Sequence, residues 1–172
     1  ITLGIFVTFL AILIALFIYA TGMHHSKKGL IKNYERNATY IEQARQYFKS
    51  ILPNDTYVRL DFDKRGNISA FHVYSDSLHW QKWSKNLSPE TVDSIISDLG
   101  WSHNHIFDIK KHLDKANGIS ISGRDQINIG WRYSGMGKYS YLLFDRPLSD
   151  SQIEEYDHGC YFIFYKDNVV LQ

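Results

Sequence analysis

The chain has 172 residues, and its 19 lysine and arginine residues are nearly balanced by 18 aspartate and glutamate residues, so its formal net charge is +1. A charge this close to zero excludes a general electrostatic attraction to nucleic acid, and a single cysteine, Cys160, excludes an internal disulfide. The length suits one domain whose hydrophobic core must be stabilised by packing alone.

The first 23 residues are apolar and uncharged, with the sequence ITLGIFVTFLAILIALFIYATGM. At a rise of about 1.5 Å per residue, roughly 20 such residues cross the hydrocarbon core of a bilayer. The run is longer than the roughly 7–15 apolar residues of a signal peptide, and it lacks the polar face of a helix at a domain surface. The sequence therefore predicts a transmembrane anchor over residues 1–23, with membrane lipid as its partner.

The flanks of this segment bear on its orientation. Lys27, Lys28, Lys32 and Arg36 follow it, and a basic flank favours the cytoplasm. Because the chain begins with Ile1, the opposite flank is not known. A lone N-terminal anchor most often holds a domain outside the cytoplasm, so we expect a single-pass membrane protein with an extracytoplasmic domain, although the visible flank argues for the other side.

Residues 24–52 are interpreted as a juxtamembrane region and helix. Residues 24–28 are polar and basic, and apolar residues then recur at steps of three and four, as on one face of a helix. Pro53 ends this pattern. The recurring positions are Ile31, Tyr34, Ala38, Ile41, Ala44, Phe48 and Leu52.

Residues 53–172 are predicted to form an α+β domain. Residues 57–63 and 68–74 alternate as two strands of a hairpin. Ser88, Pro89 and Glu90 are typical of a helix start, with a cap, a proline at the first helical position and an acid in the first turn. Further segments are predicted as a helix over 104–116, strands over 118–122, 127–133 and 138–145, a short helix after Ser149, and strands over 160–165 and 169–171.

Strands that follow one another through short turns favour a mainly antiparallel sheet, and we expect the helices on one of its faces. Trp131 alternates with Ile127 and Ile129, so its side chain is predicted to be buried in that sheet.

The best candidates for a metal site are His105, Asp108 and His112. On one helix they lie at i, i+3 and i+7 and share a face, and imidazole and carboxylate groups bind Zn²⁺. Their spacing is not that of the HExxH motif, and a polar, solvated helix edge explains the same residues. A membrane-anchored metal-dependent hydrolase is therefore kept as an alternative.

Two other patterns were considered for catalysis. Asp61 and Asp63 share the outer face of a strand and form a carboxylate pair, and His158 lies close to the thiol of Cys160 in the sequence. Outward polar residues on an amphipathic strand and a small buried cysteine explain both patterns without chemistry. We therefore predict no catalytic residue and no cofactor, which favours a protein that is not an enzyme.

The best candidate binding site consists of Trp80, Lys82, Trp83 and Lys85. Two tryptophans three residues apart share a face if the segment is helical, tryptophan is favoured at interfaces, and lysine suits an acidic partner. The alternative is that both tryptophans pack onto the sheet. If most tryptophan and tyrosine side chains are buried, the case for an interface loses its support.

The leading hypothesis is a membrane-anchored, non-enzymatic protein whose domain binds another protein and no nucleic acid, as an accessory subunit or as an immunity-type protein that neutralises a toxin. The layout of the chain also resembles that of type IV pilins and pseudopilins: an apolar N terminus is followed by a helix to about residue 50 and then by a strand-rich remainder. Those families usually carry Glu at the fifth position of the mature chain, where this chain has Ile5. The resemblance implies a filament subunit as a second alternative.

Overall fold

The computed structural model describes residues 2–20, 27–83, 87–134, 137–157 and 161–172. Within them, the helices are α1 (Thr2–Ala20), α2 (Lys27–Ile51), α3 (Pro89–Asp98), α4 (His103–Lys115) and α5 (Asp150–Tyr156). The strands are β1 (Tyr57–Phe62), β2 (Ile68–Tyr74), β3 (His79–Trp83), β4 (Ser120–Gly123), β5 (Ile127–Ser134), β6 (Gly137–Leu143), β7 (Ile163–Lys166) and β8 (Val169–Leu171).

The predicted transmembrane anchor over residues 1–23 is wrong. Within the described ranges, no helix combines the length and the apolar character that a membrane crossing requires. The apolar segment does form a helix, α1, over the described residues Thr2–Ala20. The predicted fold class and the predicted single-pass location are corrected accordingly.

The eight strands form one antiparallel sheet in the order β3-β2-β1-β4-β5-β6-β8-β7. Helices α3 and α4 are inserted between β3 and β4, and β4 then pairs with β1, which lies in the interior of the sheet. This crossover joins a three-stranded unit, β1 to β3, to the strands that follow, and a second one after β6 places β8 between β6 and β7.

The main hydrophobic core lies between α2, α3 and α4 and one face of the sheet, here called the inner face. Because side chains alternate along a strand, Leu60 and Phe71 point into this core while their neighbours point to the opposite, outer face. Helix α2 contributes Ile41 and Phe48, both essentially without solvent exposure. The periodic residues that predicted this helix therefore belong to the same core as the sheet.

Helix α5 corrects the expectation that the helices lie on one face. Its Ile153 and Tyr156 pack in a second, smaller core with Leu142 and Val170. These two strand residues are neighbours across β6 and β8, and they alternate with residues of the main core. Helix α5 therefore covers the outer face at the β6-β8-β7 end of the sheet.

One polar network ties α2 to the sheet through the main core. The Tyr141 hydroxyl donates to the Leu30 carbonyl at 3.0 Å and accepts from Asn33 Nδ2 at 2.9 Å. Asn33 Oδ1 accepts in turn from Asn37 and Asn117. Burial raises the pKa of Tyr141, so its hydroxyl stays neutral and both hydrogen bonds persist at physiological pH.

Candidate functional site

The outer face from β3 to β6 is polar and aromatic where the inner face is apolar. It forms a concave region of about 530 Å³, here called the outer cleft. The residues that line it come from β1, β2, β3, β5 and β6 and include Arg59, Asp61, Ser69, Trp83, Tyr133 and Lys138.

Three charged residues form an ion cluster in this cleft. Asp61 is only 3% exposed, and it accepts hydrogen bonds from Arg59 Nε at 3.0 Å and Arg59 Nη2 at 2.7 Å. Lys138 Nζ lies 3.1 Å from each oxygen of the same carboxylate and 3.0 Å from Ser120 Oγ. Each Asp61 oxygen thus has two partners, which is the condition for holding a buried carboxylate in its charged form.

The protonation of the ion cluster follows from its surroundings. Burial by itself raises the pKa of Asp61, but the hydrogen bonds from Arg59 and the charge of Lys138 outweigh it, and the pKa is lowered. Burial lowers the pKa of Lys138, and the charge of Asp61 offsets this effect in part. With all three groups ionised, two cations face one anion, so the ion cluster carries a net charge of +1.

Lys138 lies on β6 and reaches Asp61 on β1 across β4 and β5. Gly130 on β5 makes this path possible: a Cβ there would lie 2.2 Å from Ser120 Oγ and 3.5 Å from Lys138 Cδ. The register of β5 against β6 shifts between Gly130 and Arg132. Trp131, in alternation with Ile127 and Ile129, lies in the core and is 8% exposed, so the prediction that it is buried is confirmed.

Two exposed aromatic side chains border the ion cluster. Trp83 is 45% exposed and Tyr133 is 49% exposed, and the Arg59 guanidinium lies 5.8 Å from the centre of the Trp83 ring. Of the tyrosines whose side chains the structure describes, Tyr34 and Tyr141 are buried and the others are not. The aromatic residues therefore do not all fill the core, and the case for an interface keeps its support.

His72 lies beside the cleft, opposite Arg59 in the β1–β2 register. It is 5% exposed, and its ring meets Trp83 edge-on with 4.6 Å between the centroids. Its Nε2 atom has no hydrogen-bond partner among the described residues. Burial and the nearby Arg59 charge lower the pKa of His72, so the ring is held in its neutral form.

Arg59 retains capacity for a ligand. A guanidinium has five N–H groups, and Asp61 takes two of them. Among the described residues the other three have no acceptor, and the side chain is 28% exposed. A surplus positive charge with free donors, in a cleft that partly excludes water, is suited to bind a carboxylate.

The structure separates the residues of the predicted binding site. Trp80 and Trp83 lie on one strand, β3, at odd spacing, and therefore point to opposite faces. Trp80 Nε1 donates to Asp98 of α3 at 2.8 Å, and Lys82 Nζ lies 5.8 Å from the Trp80 ring. Only Trp83 lines the outer cleft, and Lys85 lies outside the described residues.

The metal candidates lie along α4, each with a local contact. Ser102 N donates to His105 Nδ1 at 3.0 Å at the start of the helix, His112 stacks on Tyr47, and the Tyr47 hydroxyl lies 3.4 Å from Asp108. In the part of the chain that the structure describes, no group of three His, Cys, Asp or Glu side chains is placed to hold a metal ion.

The two carboxylates considered for catalysis have different roles. Asp61 belongs to the ion cluster, while Asp63 accepts from the backbone N–H groups of Arg65 and Asn67 in the turn that follows β1. The other pattern, with His158 and Cys160, lies outside the described residues.

Sequence reasoning missed Arg59, Lys138 and Tyr133, which come from three strands. One feature of the sequence, the position of Gly130, indicated that another group approaches the sheet there. Gly130 interrupts an otherwise regular alternation in β5, and a glycine inside a strand often marks a close approach of another group.

Comparisons with known proteins show no family for the chain. No family model matches it, and no solved structure matches it. A segment of 71 residues, 41% of this chain, is 34% identical to the RNA polymerase sigma factor RpoH of Zymomonas mobilis subsp. mobilis. The chain spans 22% of the length of that relative.

Proposed function

We propose that the protein is a non-enzymatic binding protein whose outer cleft binds an acidic segment of a partner protein. One observation carries the proposal: a buried ion cluster with a net charge of +1, whose Arg59 has N–H groups without an acceptor among the described residues, lines one cleft with the exposed rings of Trp83 and Tyr133. Aromatic side chains and arginine are the residues that contribute most to protein–protein binding.

Charge complementarity supports a protein partner over a nucleic acid. Nucleic-acid binding relies on several lysine and arginine residues along a phosphate backbone, whereas the outer cleft presents one surplus cation next to its own carboxylate, Asp61. The net charge of the chain, +1, supports the same choice. The sigma factor named above is a transcription protein, but the likeness spans about a fifth of it and adds no argument for binding DNA.

The proposal retains the two roles that the sequence suggested, an accessory subunit and an immunity-type protein. Both need a preformed surface that recognises one partner and neither needs a catalytic group. The strands hold the cleft residues in place before any partner arrives, and such pre-organisation reduces the entropy cost of binding.

The test uses the full chain and a labelled decaglutamate peptide with blocked ends, followed by fluorescence anisotropy. We expect binding that weakens as salt is added, because the attraction is electrostatic. Trp83→Ala and Tyr133→Ala should each weaken it about tenfold. Phe107→Ala is the matched control, since Phe107 is 67% exposed on α4 and should leave binding unchanged.

The proposal also predicts selectivity. Decalysine and a ten-residue oligothymidylate are the comparison ligands, and neither should bind as tightly as decaglutamate. Tighter binding of the oligothymidylate, or unchanged affinity for decaglutamate in both cleft variants, would show that the outer cleft does not bind an acidic protein segment.

A further inference from the structure

A second concave region shares Tyr133 with the outer cleft. It has a volume of about 350 Å³ and is here called the side cleft. It lies where the C-terminal half of α4, the turn after β1 and the strand β5 meet. The residues that matter for its charge are Asp63, Lys64, Lys110, Asp114 and Arg132.

Arg132 is the unusual group in the side cleft. Its guanidinium donates from Nη2 to Asn117 Oδ1 at 2.6 Å and from Nη1 to the Trp131 carbonyl at 2.8 Å. Both acceptors are neutral. Over the described ranges of the chain, no carboxylate forms an ion pair with Arg132, although the chain contains many acidic residues.

The remaining charges of the side cleft do not compensate Arg132. Lys110 pairs with Asp114 one helical turn away. Asp63 accepts backbone N–H groups of its own turn, and Lys64 has no ion pair within the described residues. Three cations and two anions line the cleft, so its net charge is +1.

From these contacts we infer that the side cleft binds a second carboxylate of the same acidic segment and that Arg132 contacts it. The inference rests on the proposed function, because it assigns a further part of one binding surface. Tyr133 lines both clefts, so a segment lying across its ring places one acidic side chain in each. Two carboxylates on one segment bind more tightly than either alone, because once the first carboxylate is bound the second is held close to its own cleft.

The test compares Arg132→Gln with Arg124→Gln in the full chain, with decaglutamate as the ligand. Both variants lose one positive charge, but Arg124 is exposed and pairs with Asp125 in the turn before β5. We expect Arg132→Gln to bind decaglutamate about tenfold more weakly, the loss of one hydrogen bond to a charged group, and Arg124→Gln to bind as the unchanged protein does.

A direct observation complements the affinities. The side-chain Nε–Hε signals of Arg132 and Arg59 should both shift in the NMR spectrum when decaglutamate is added. N-acetylglutamate methylamide, with a single carboxylate, should bind much more weakly than decaglutamate, because it cannot occupy both clefts.

The outcomes distinguish this inference from the proposed function. If Arg132→Gln binds decaglutamate normally while Trp83→Ala does not, the side cleft is not a subsite and the outer cleft remains the binding surface. If the unchanged protein does not bind decaglutamate at all, the proposed function fails and the inference with it. If Arg132→Gln does not fold, the exposed Lys64→Gln replaces it: weaker binding supports the inference, and unchanged binding overturns it.

Discussion

The two faces of the sheet bury side chains for different reasons. Phe71 and His72 are neighbours on β2. Phe71 points into the inner-face core with no solvent exposure, whereas His72 is 5% exposed on the outer face, and its Nε2 has no hydrogen-bond partner among the described residues. Burial of an apolar side chain stabilises the fold by about 1.5–3 kcal/mol. Burial of an ion cluster adds little net stability, because desolvation offsets the attraction between the charges. The comparison indicates that the inner-face core provides most of the stability, whereas the outer-face ion cluster provides little, which leaves it available for the proposed binding role.

The largest effect is expected at the inner face. Phe71→Ala should lower the free energy of unfolding by about 3–5 kcal/mol, because it leaves a cavity in a packed core. Urea denaturation of the full chain measures it. Phe107→Ala, on an exposed face of α4, should change stability by less than about 0.5 kcal/mol. A loss below about 1 kcal/mol for Phe71→Ala would show that the inner face does not provide the stability.

The next effect tests the ion cluster. Asp61→Asn removes the only carboxylate among the described cleft residues and leaves Arg59 and Lys138 facing each other. We expect the free energy of unfolding, measured by urea denaturation, to fall by about 2 kcal/mol. This is less than the roughly 3–5 kcal/mol lost when one partner of a fully buried ion pair is removed, because Arg59 and Lys138 are 28% and 20% exposed.

The same cluster offers a sharper comparison. A triple variant, Arg59→Leu with Asp61→Leu and Lys138→Met, should be more stable than Asp61→Asn, since an apolar replacement of a buried ion cluster is often neutral. It should nevertheless lose decaglutamate binding. A triple variant that still binds decaglutamate would contradict the separation of recognition from stability.

A smaller effect is expected from the polar network on the inner face. Tyr141→Phe leaves the Leu30 carbonyl without its donor and Asn33 Nδ2 without its acceptor. The expected loss is about 1–2 kcal/mol, measured by urea denaturation, with no change in decaglutamate affinity. A change in affinity at equal folded fraction would show that the two faces are coupled.

The smallest effect concerns pH. The pKa of His72 in the folded protein is lowered below its ordinary value of 6.5, so the unfolded chain binds more protons between the two pKa values. The free energy of unfolding should therefore decrease as pH falls below about 6.5. His72→Phe should reduce this slope in urea denaturation from pH 7 to 5. His103→Gln is the control, since His103 is exposed, and an unchanged slope in His72→Phe would exclude His72 as its source.

Several elements were predictable because local interactions decide them. The three- and four-residue periodicity of α2 identifies its buried face, and Ser88 caps α3 by accepting from the Thr91 N–H. The alternation in β1, β2 and β5 identifies their core residues, including Trp131. Each of these patterns lies within a few residues, so the sequence displays it directly.

The errors arose where a local pattern was extended beyond its element. The apolar run of residues 1–23 was interpreted as a transmembrane span from its composition, yet no described helix is long and apolar enough for a membrane crossing. Trp80 and Trp83 were placed in a short helical or irregular piece, where a helix would put them on one face. The segment instead pairs with β2 as a strand, and tertiary pairing of this kind overrides a local preference.

The sequence by itself determined which residues form the helices and strands of the inner-face core, because hydrophobic periodicity depends only on near neighbours. Only the tertiary structure decided the outer cleft. Lys138 and Asp61 are 77 residues apart in the chain and meet because β1 and β6 are held in one sheet with Gly130 clearing the path between them. A charge cluster of this kind depends on strand order, and strand order is set by long-range packing that no local pattern encodes.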